Sequence, residues 1–596
     1  MPALAAALAS CGGGGGGGTA LPPAAAPTPT APAASSTPSL KPTPSSAPSA
    51  SPPPAPSPSP SPSASPRPTS TPTASPRPTS SPTAAPGGGA PLAGPTLGPN
   101  GGWGPTAVAN ALQFPVQSGF NGAGQTVAIV IDSGFAQTDL STYLAYFQIP
   151  STGRTISTEQ VDGSPGTADQ AEATLDVETV AALAPGANVI VYEVPDLSDQ
   201  DITDAYDQII GDGKASVVSS SFGGCEYANP PESPVLQQGA LQHVLFVASS
   251  GDQGNECFSS EDGSTPVYAV GVSYPASDPN GIGVGGTETY GRPLTSATVW
   301  NDSKCSSGQC AAGGGVSAHF GLPSFQQGLA GASSAQWRNV PDVSMPAELT
   351  SVYEAGSWGL MSGTSWSAPQ FAALMAEVYH YCESALASPA SVPYYVTAHS
   401  ASAFIDVTSG NDQFDGTSPF YSAGPGYDDA SGIGVPLGMP FADTICPGRV
   451  PAAALRASPA AIARAQYGTA QTRTLDVTPR VAGLADRGRR SILAQTRVQL
   501  VLRPAAGLAG DEQTALAILR QANFTIVRTF PNHLVIDAEA PSGTVERFFE
   551  TQLHDVSQGA YGTRYLPAGG VTIPASLTPY AASVSLDDVV TRHAPR

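Results

Sequence analysis

ADQAEATLDVETVAALAPGANVIVYE, residues 168–193, carries the reading of the fold. Thr179–Leu183 has helical patterning, and Ala184-Pro185-Gly186-Ala187 breaks it. Val189–Tyr192 then runs apolar without alternation, as a strand buried on both faces does. Similar runs recur at Val127–Ile131, Val217–Ser220 and Val244–Ala248, with further helical patterning at Phe371–Tyr379. Strands of this kind separated by helices predict an α/β fold, a parallel sheet covered by helices on both faces. In such sheets function sits beyond the carboxyl ends of the strands.

Working outward, the 596 residues suggest two or more domains. Residues 1–18 read as a possible lipoprotein signal and Gly run, in which Leu8-Ala9-Ser10-Cys11 resembles a bacterial lipoprotein processing box with Cys11 as the lipid anchor. Residues 19–102 read as a Pro/Ser/Thr-rich disordered linker, a tether that lifts a domain off a surface. Of the 61 prolines 27 lie in residues 1–100, whose only charges are Lys41, Arg67 and Arg77, so folding is expected to start near Trp103. The main domain spans 103–447, an Ala/Arg-rich linker 448–496, and a second domain 497–596. Asp486-Arg487-Gly488-Arg489-Arg490 in that linker reads as an exposed basic run and a candidate cleavage site.

Charge narrows the function classes. Residues 103–450 hold six Lys and Arg against 35 Asp and Glu, a formal −29. That excludes a nucleic-acid binder and suits a protein that works in acid, where carboxylates lose their mutual repulsion. No run of 18 apolar residues exists, so no spanning helix is expected. Besides Cys11, six cysteines remain (225, 257, 305, 310, 382 and 446). An even number suits an extracellular or cell-surface, oxidising location, with the pairing left open.

The last domain has its own pattern. Val498–Leu502 is strand-like, Asp511–Ala522 an amphipathic helix, Phe524–Thr529 and His533–Ala538 a hairpin around Pro531-Asn532, and Pro541–Leu553 a second helix. A strand near Arg564–Leu566 completes β-α-β-β-α-β, the order of a ferredoxin-like α+β domain.

Three segments carry chemistry. Ser362-Gly-Thr-Ser365-Trp-Ser-Ala-Pro369 precedes a helical run and puts Ser365 at a helix N-terminus, where N–H groups favour a negative oxygen. Such a Ser is a cap or a nucleophile, and a nucleophile needs a base. Glu172 and Asp176 are i and i+4 on one helix face, so they share protons and can take one from Ser365; alone, the pair reads first as a solvated helix face, and its neighbours change that. Val247-Ala-Ser-Ser-Gly251-Asp252 ends a strand in a Gly-rich turn. Asp252 there either bonds its own backbone or, kept protonated, donates to an oxyanion.

The GTSxxxP string is shared with subtilisin-type peptidases, and Ile131-Asp132-Ser133-Gly134 looks like their Asp segment, yet none of the seven histidines is followed by Gly-Thr. Glu172-x-x-x-Asp176, Ser250-Gly-Asp252-x-Gly254 and Ser362-Gly-Thr-Ser365-x-x-x-Pro369, in that order, resemble the sedolisins, the serine-carboxyl peptidases. Gly122–Val127, Ser219-Ser-Ser-Phe-Gly-Gly224, Val284-Gly-Gly-Thr287 and Val340-Pro-Asp-Val-Ser344 match as well. The resemblance implies a subtilisin-like fold and an acid-acting endopeptidase of protein and peptide substrates. It makes Ser365 the nucleophile, Glu172 the general base, Asp176 its partner and Asp252 the oxyanion acid. It also implies one Ca²⁺, held by the side chains of Asp406 and Asp428 and the backbone oxygens of Val407, Gly424 and Gly426. Residues 497–596 resemble the family's activation domain, which elsewhere precedes the catalytic domain. Here it follows, as an inhibitor or folding aid of a zymogen, and the +4 of residues 451–596 against −29 is expected to favour docking at neutral pH and weaken as carboxylates titrate. The rival readings are a His-dependent subtilisin-like peptidase and a catalytically inert surface-binding protein.

Overall fold

The computed structural model describes residues 89–593, apart from 151, 166–169, 263–264, 289–296, 306–307, 385, 388, 417, 457–473, 477–483 and 506. The expected signal, Cys11 and most of the Pro-rich linker lie outside the described residues. Eight strands form the main sheet: β1 (Thr126–Ile131), β2 (Ile156–Gln160), β3 (Asn188–Glu193), β4 (Val217–Ser220), β5 (Leu245–Ser249), β6 (Gly281–Glu288), β7 (Thr298–Val299) and β8 (Val343–Pro346). Their order is β7-β6-β5-β4-β1-β3-β2, with β8 pairing to β6. All pairs are parallel except β6 with β7.

The apolar runs explain the layering. Val127–Ile131 is wholly buried, so β1 needs cover on both faces. Four helices supply it: α1 (Ala171–Leu183), α2 (Asp199–Asp212), α3 (Glu232–Leu241) and α4 (Thr364–Cys382). α1 packs on α4 and α2 on α3, and α4 crosses β4, β5 and β6. Nearly every residue of α4 is buried, as a central helix requires. Three disulfides use all six cysteines of this region: Cys225–Cys257, Cys305–Cys310 and Cys382–Cys446. Among the described residues no helix is long and apolar enough to cross a membrane.

The first domain begins earlier than the expected Trp103. Leu92 is buried, Leu97 bridges Trp103, and Gly104 N–H donates to the Thr96 carbonyl at 2.9 Å.

The C-terminal part contains β9 (Ala485–Arg489), β10 (Gln495–Leu502), α5 (Ala509–Gln521), β11 (Thr525–Thr529), β12 (Val535–Pro541), α6 (Ser542–Phe548), β13 (Leu553–Ser557), β14 (Thr563–Pro567) and β15 (Ala581–Ser585). An antiparallel sheet has the order β11-β12-β10-β15, and a second has β9-β13-β14. Three expectations need correcting. The linker expected to 496 ends by β9, and its basic run is tied down: Arg489 pairs with Glu546, Arg490 with Asp555 at 2.6 Å, and Asp486 meets His554. β9 has no large apolar residue and is bulged, so it carries no apolar signal. Arg564–Leu566 lies in the second sheet, and β15 takes the fourth place in the first. The second helix stops at Phe548, because Leu553 is committed to β13.

This part docks on the main domain through arginines. Arg497 meets Asp162, Asp201 and Asp204; Arg528 meets Asp162 and Asp204; Arg564 meets Asp196 at 2.7 Å. Asn532 donates to Asp207. Most of these acids belong to α2, so the negative helix face seats these arginines.

Candidate active site

Ser365 is the second residue of α4, preceded by Gly363 and Thr364. A Cβ at Gly363 would stand 2.9 Å from Asp252 Oδ2, so only glycine lets this carboxyl approach the helix end. Asp252 follows β5 by three residues. Its Oδ1 accepts the Thr364 N–H at 2.8 Å and the Thr364 hydroxyl at 2.7 Å. The turn reading, in which Asp252 bonds its own backbone, does not hold; its partner is the helix that carries Ser365. Burial pushes the Asp252 carboxyl up to about 6, against the two Thr364 bonds that pull it down. Below that value it is a neutral donor at a helix N-terminus.

Glu172 and Asp176 stand one turn apart on α1, both buried, so their face is not a solvated one. Asp176 Oδ1 accepts the Ser221 hydroxyl at 2.7 Å. Burial pushes Asp176 up to about 8, with the Ser221 bond opposing. Ser221 Oγ also lies 3.2 Å from the Ser365 carbonyl oxygen. Pro369 explains why that carbonyl is open. In a helix the N–H of residue 369 would bond it, and proline has none. The one hydroxyl proton of Ser221 thus serves two acceptors. An ionised Asp176 takes it; a protonated Asp176 can donate to Ser221 Oγ and release it to the Ser365 carbonyl.

Ser365 Oγ is buried and has no hydrogen-bond partner among the described residues, imidazole or carboxylate. Helix packing therefore brings Glu172, Asp176 and Ser365 onto facing helices, without a hydrogen bond from Ser365 Oγ to either acid. Asp132 lies partly buried just after β1. Sequence reasoning missed Ser221 and Thr364. Ser221 follows the last residue of β4, at a carboxyl end of the sheet, but serine is common there and its type alone marks nothing.

The five expected calcium ligands share one loop cluster. Both Asp406 carboxylate oxygens accept the Gly426 N–H at 3.1 Å, and Asp428 Oδ2 accepts the Gly424 N–H at 2.8 Å. Asp428 Oδ1 is held by Ala430 and Ser431. Among the described residues no group of three or more His, Cys, Asp or Glu gathers for a metal. The donor set, two carboxylates and three carbonyls, is all oxygen and fits a hard cation by its chemistry.

A model of the subtilase family matches residues 122–424. Kumamolisin of Bacillus sp. (strain MN-32) is 33% identical over 368 residues, 58% of this chain and 63% of kumamolisin. Sedolisin of Pseudomonas sp. (strain 101) is 32% identical over 354 residues, covering 54% and 59%. Xanthomonalisin of Xanthomonas sp. (strain T-22) is 30% identical over 305 residues, covering 44% and 36%. A solved structure of Pseudomonas sedolisin, a serine-carboxyl proteinase complexed with two molecules of pseudo-iodotyrostatin, aligns at 29% identity over 56% of this chain and 97% of its own, with a TM-score of 0.49. The chain spans less than two thirds of the length of the curated relatives it matches. With half its length matched and these relatives beside it, the chain belongs to the subtilase family and, within it, to the sedolisins.

Proposed function

We propose that the chain is an acid-acting serine-carboxyl endopeptidase made as a zymogen. Ser365 Oγ attacks a peptide carbonyl as Glu172, steadied by Asp176, takes its proton. The tetrahedral oxyanion accepts hydrogen bonds from neutral Asp252 and the Ser365 N–H. Glu172 then passes the proton to the leaving amine, and water releases the acyl-enzyme. The observation that carries this reading is Asp252, buried at the N-terminus of the helix that bears Ser365 and neutral only below about 6. The His-dependent alternative has the opposite mutational signature. A pH–activity profile on a denatured protein substrate tests both: Glu172→Gln is expected to cost at least about 10³-fold in kcat while Asp132→Ala retains activity, and the reverse outcome refutes the proposal.

Calcium, held by Asp406, Asp428 and the carbonyls of Val407, Gly424 and Gly426, would pin their loop. A chelator is expected to lower Tm, and an unchanged Tm removes the ion from the account. Residues from β10 onward act on the enzyme as a ferredoxin-like prodomain. The sheet order β11-β12-β10-β15 with two interposed helices supports that reading, as do the docked arginines. Export to an acidic surface location, with Cys11 as anchor, agrees with the three disulfides.

A further inference from the structure

The segment beyond β15 runs back onto the main domain and meets it at two isolated bridges. Val590 forms an antiparallel bridge with Ser198, and His593 another with Gly223. The second is complete: Gly223 N–H donates to His593 O at 3.1 Å and His593 N–H to Gly223 O at 3.0 Å. A Cβ at Gly224 would overlap the Thr591 carbonyl oxygen, so the glycine admits a backbone at this edge. Gly223 is two residues from Ser221, whose hydroxyl touches Asp176 and the Ser365 carbonyl. An extended peptide therefore already lies against the segment that carries Ser221, held by main-chain bonds that read no side chain.

One side chain of that peptide is read closely. Arg592 is 1% exposed. Its guanidinium lies 3.2 Å from Asp199 Oδ1 and 3.5 Å from Glu232 Oε1, the first residues of α2 and α3. It stands over the Tyr274 ring at 4.8 Å, with Tyr227 at 5.9 Å. These four walls belong to the main domain; the segment itself adds the Thr591 hydroxyl, which donates to Asp199, and the buried Asp587 carboxyl, which interacts with Arg592. Two carboxylates in an apolar, aromatic setting demand a cation, and a flat guanidinium matches the ring face better than an ammonium.

We propose that this hollow is a substrate subsite for a basic side chain, arginine first, one residue before the substrate position that pairs with Gly223. The proposal rests on the peptidase reading. Arg592 is its internal occupant, and a substrate presents its own arginine there when the segment is displaced. Peptides rich in arginine upstream of the cut are the favoured class, and acidic side chains at that position are rejected.

The full chain carrying Arg592→Ala tests this in two arms. In the first, ethylguanidinium is titrated and Tm is read. A saturable rise is expected, absent in the parent chain and lost when Glu232→Gln or Asp199→Asn is added; no rise overturns the guanidinium site. In the second, fluorogenic peptides are compared in which arginine is walked through the positions before the cut. One position is expected to raise kcat/KM about tenfold or more over leucine, with glutamate there poorest. A flat walk on an enzyme that cuts makes the hollow a lock for the chain end only, and overturns the subsite. Absence of cutting by the parent chain even after limited proteolysis has freed the C-terminal part, at the level of Ser365→Ala treated alike, overturns the peptidase reading itself.

Discussion

Asp252 sets an upper pH limit for the proposed chemistry. Its carboxyl must hold a proton to donate to an oxyanion, and its value is raised to about 6 by burial. Activity is therefore present below that value and lost as pH rises through it, where the ionised group repels the anion. Asp252→Asn cannot ionise, so the alkaline limb of the pH–rate profile should move up or vanish, at a lower kcat; an unchanged limb would take Asp252 out of the oxyanion site. The placement of these residues was legible from the string around each: Ser365 follows Gly-Thr at a helix start, and Asp252 sits on a Gly-rich turn after a strand. Ser221 was not, because serine is common at strand ends. Its meaning comes only from the two acceptors it meets, which lie 45 and 144 positions away.

At the scale of the element, α4 contains a proline where a helix interior tolerates none without reason. The structure supplies the reason: the missing N–H leaves the Ser365 carbonyl to Ser221. Pro369→Ala would return an N–H to that carbonyl and compete with Ser221 for it. The expected outcome is a Tm unchanged or raised by about 1–3 °C, since proline in a helix costs about 3 kcal/mol, together with a fall in kcat. A lower Tm with unchanged kcat would mean that the proline serves packing alone. Elements with apolar runs were readable in this chain, β1, β3, β4 and β5 to within a residue or two, because burial on both faces leaves few polar positions and those mostly at strand ends. β9 was not. It is held by Arg489–Glu546 and Arg490–Asp555 instead of by an apolar face, and a polar strand looks like a linker.

Across the whole molecule, the docked C-terminal part buries the acids of α2. Charge counting predicts that acid loosens this contact. The structure gives the opposite sign. Burial pushes Asp201 up to about 7 and Asp207 up to about 8, despite Arg497 beside the first and Asn532 beside the second, and Asp204 is raised as well. When the C-terminal part lifts away, these groups return toward the ordinary aspartate value near 3.8. The docked form thus binds more protons than the open form between about pH 4 and 8. Docking strengthens as pH falls through this window and weakens as pH rises through 7 to 8. Acid by itself would then not release the C-terminal part, and the activation step of a zymogen built this way has to be a cut in the chain. Hydrogen exchange on the intact Ser365→Ala chain, which cannot cut itself by the proposed chemistry, reads the sign directly. Amides of α2, β11 and β12, corrected for intrinsic rates, are expected to be better protected at pH 5 than at pH 8. Protection that falls on acidification would restore the charge-counting picture and make acid the trigger.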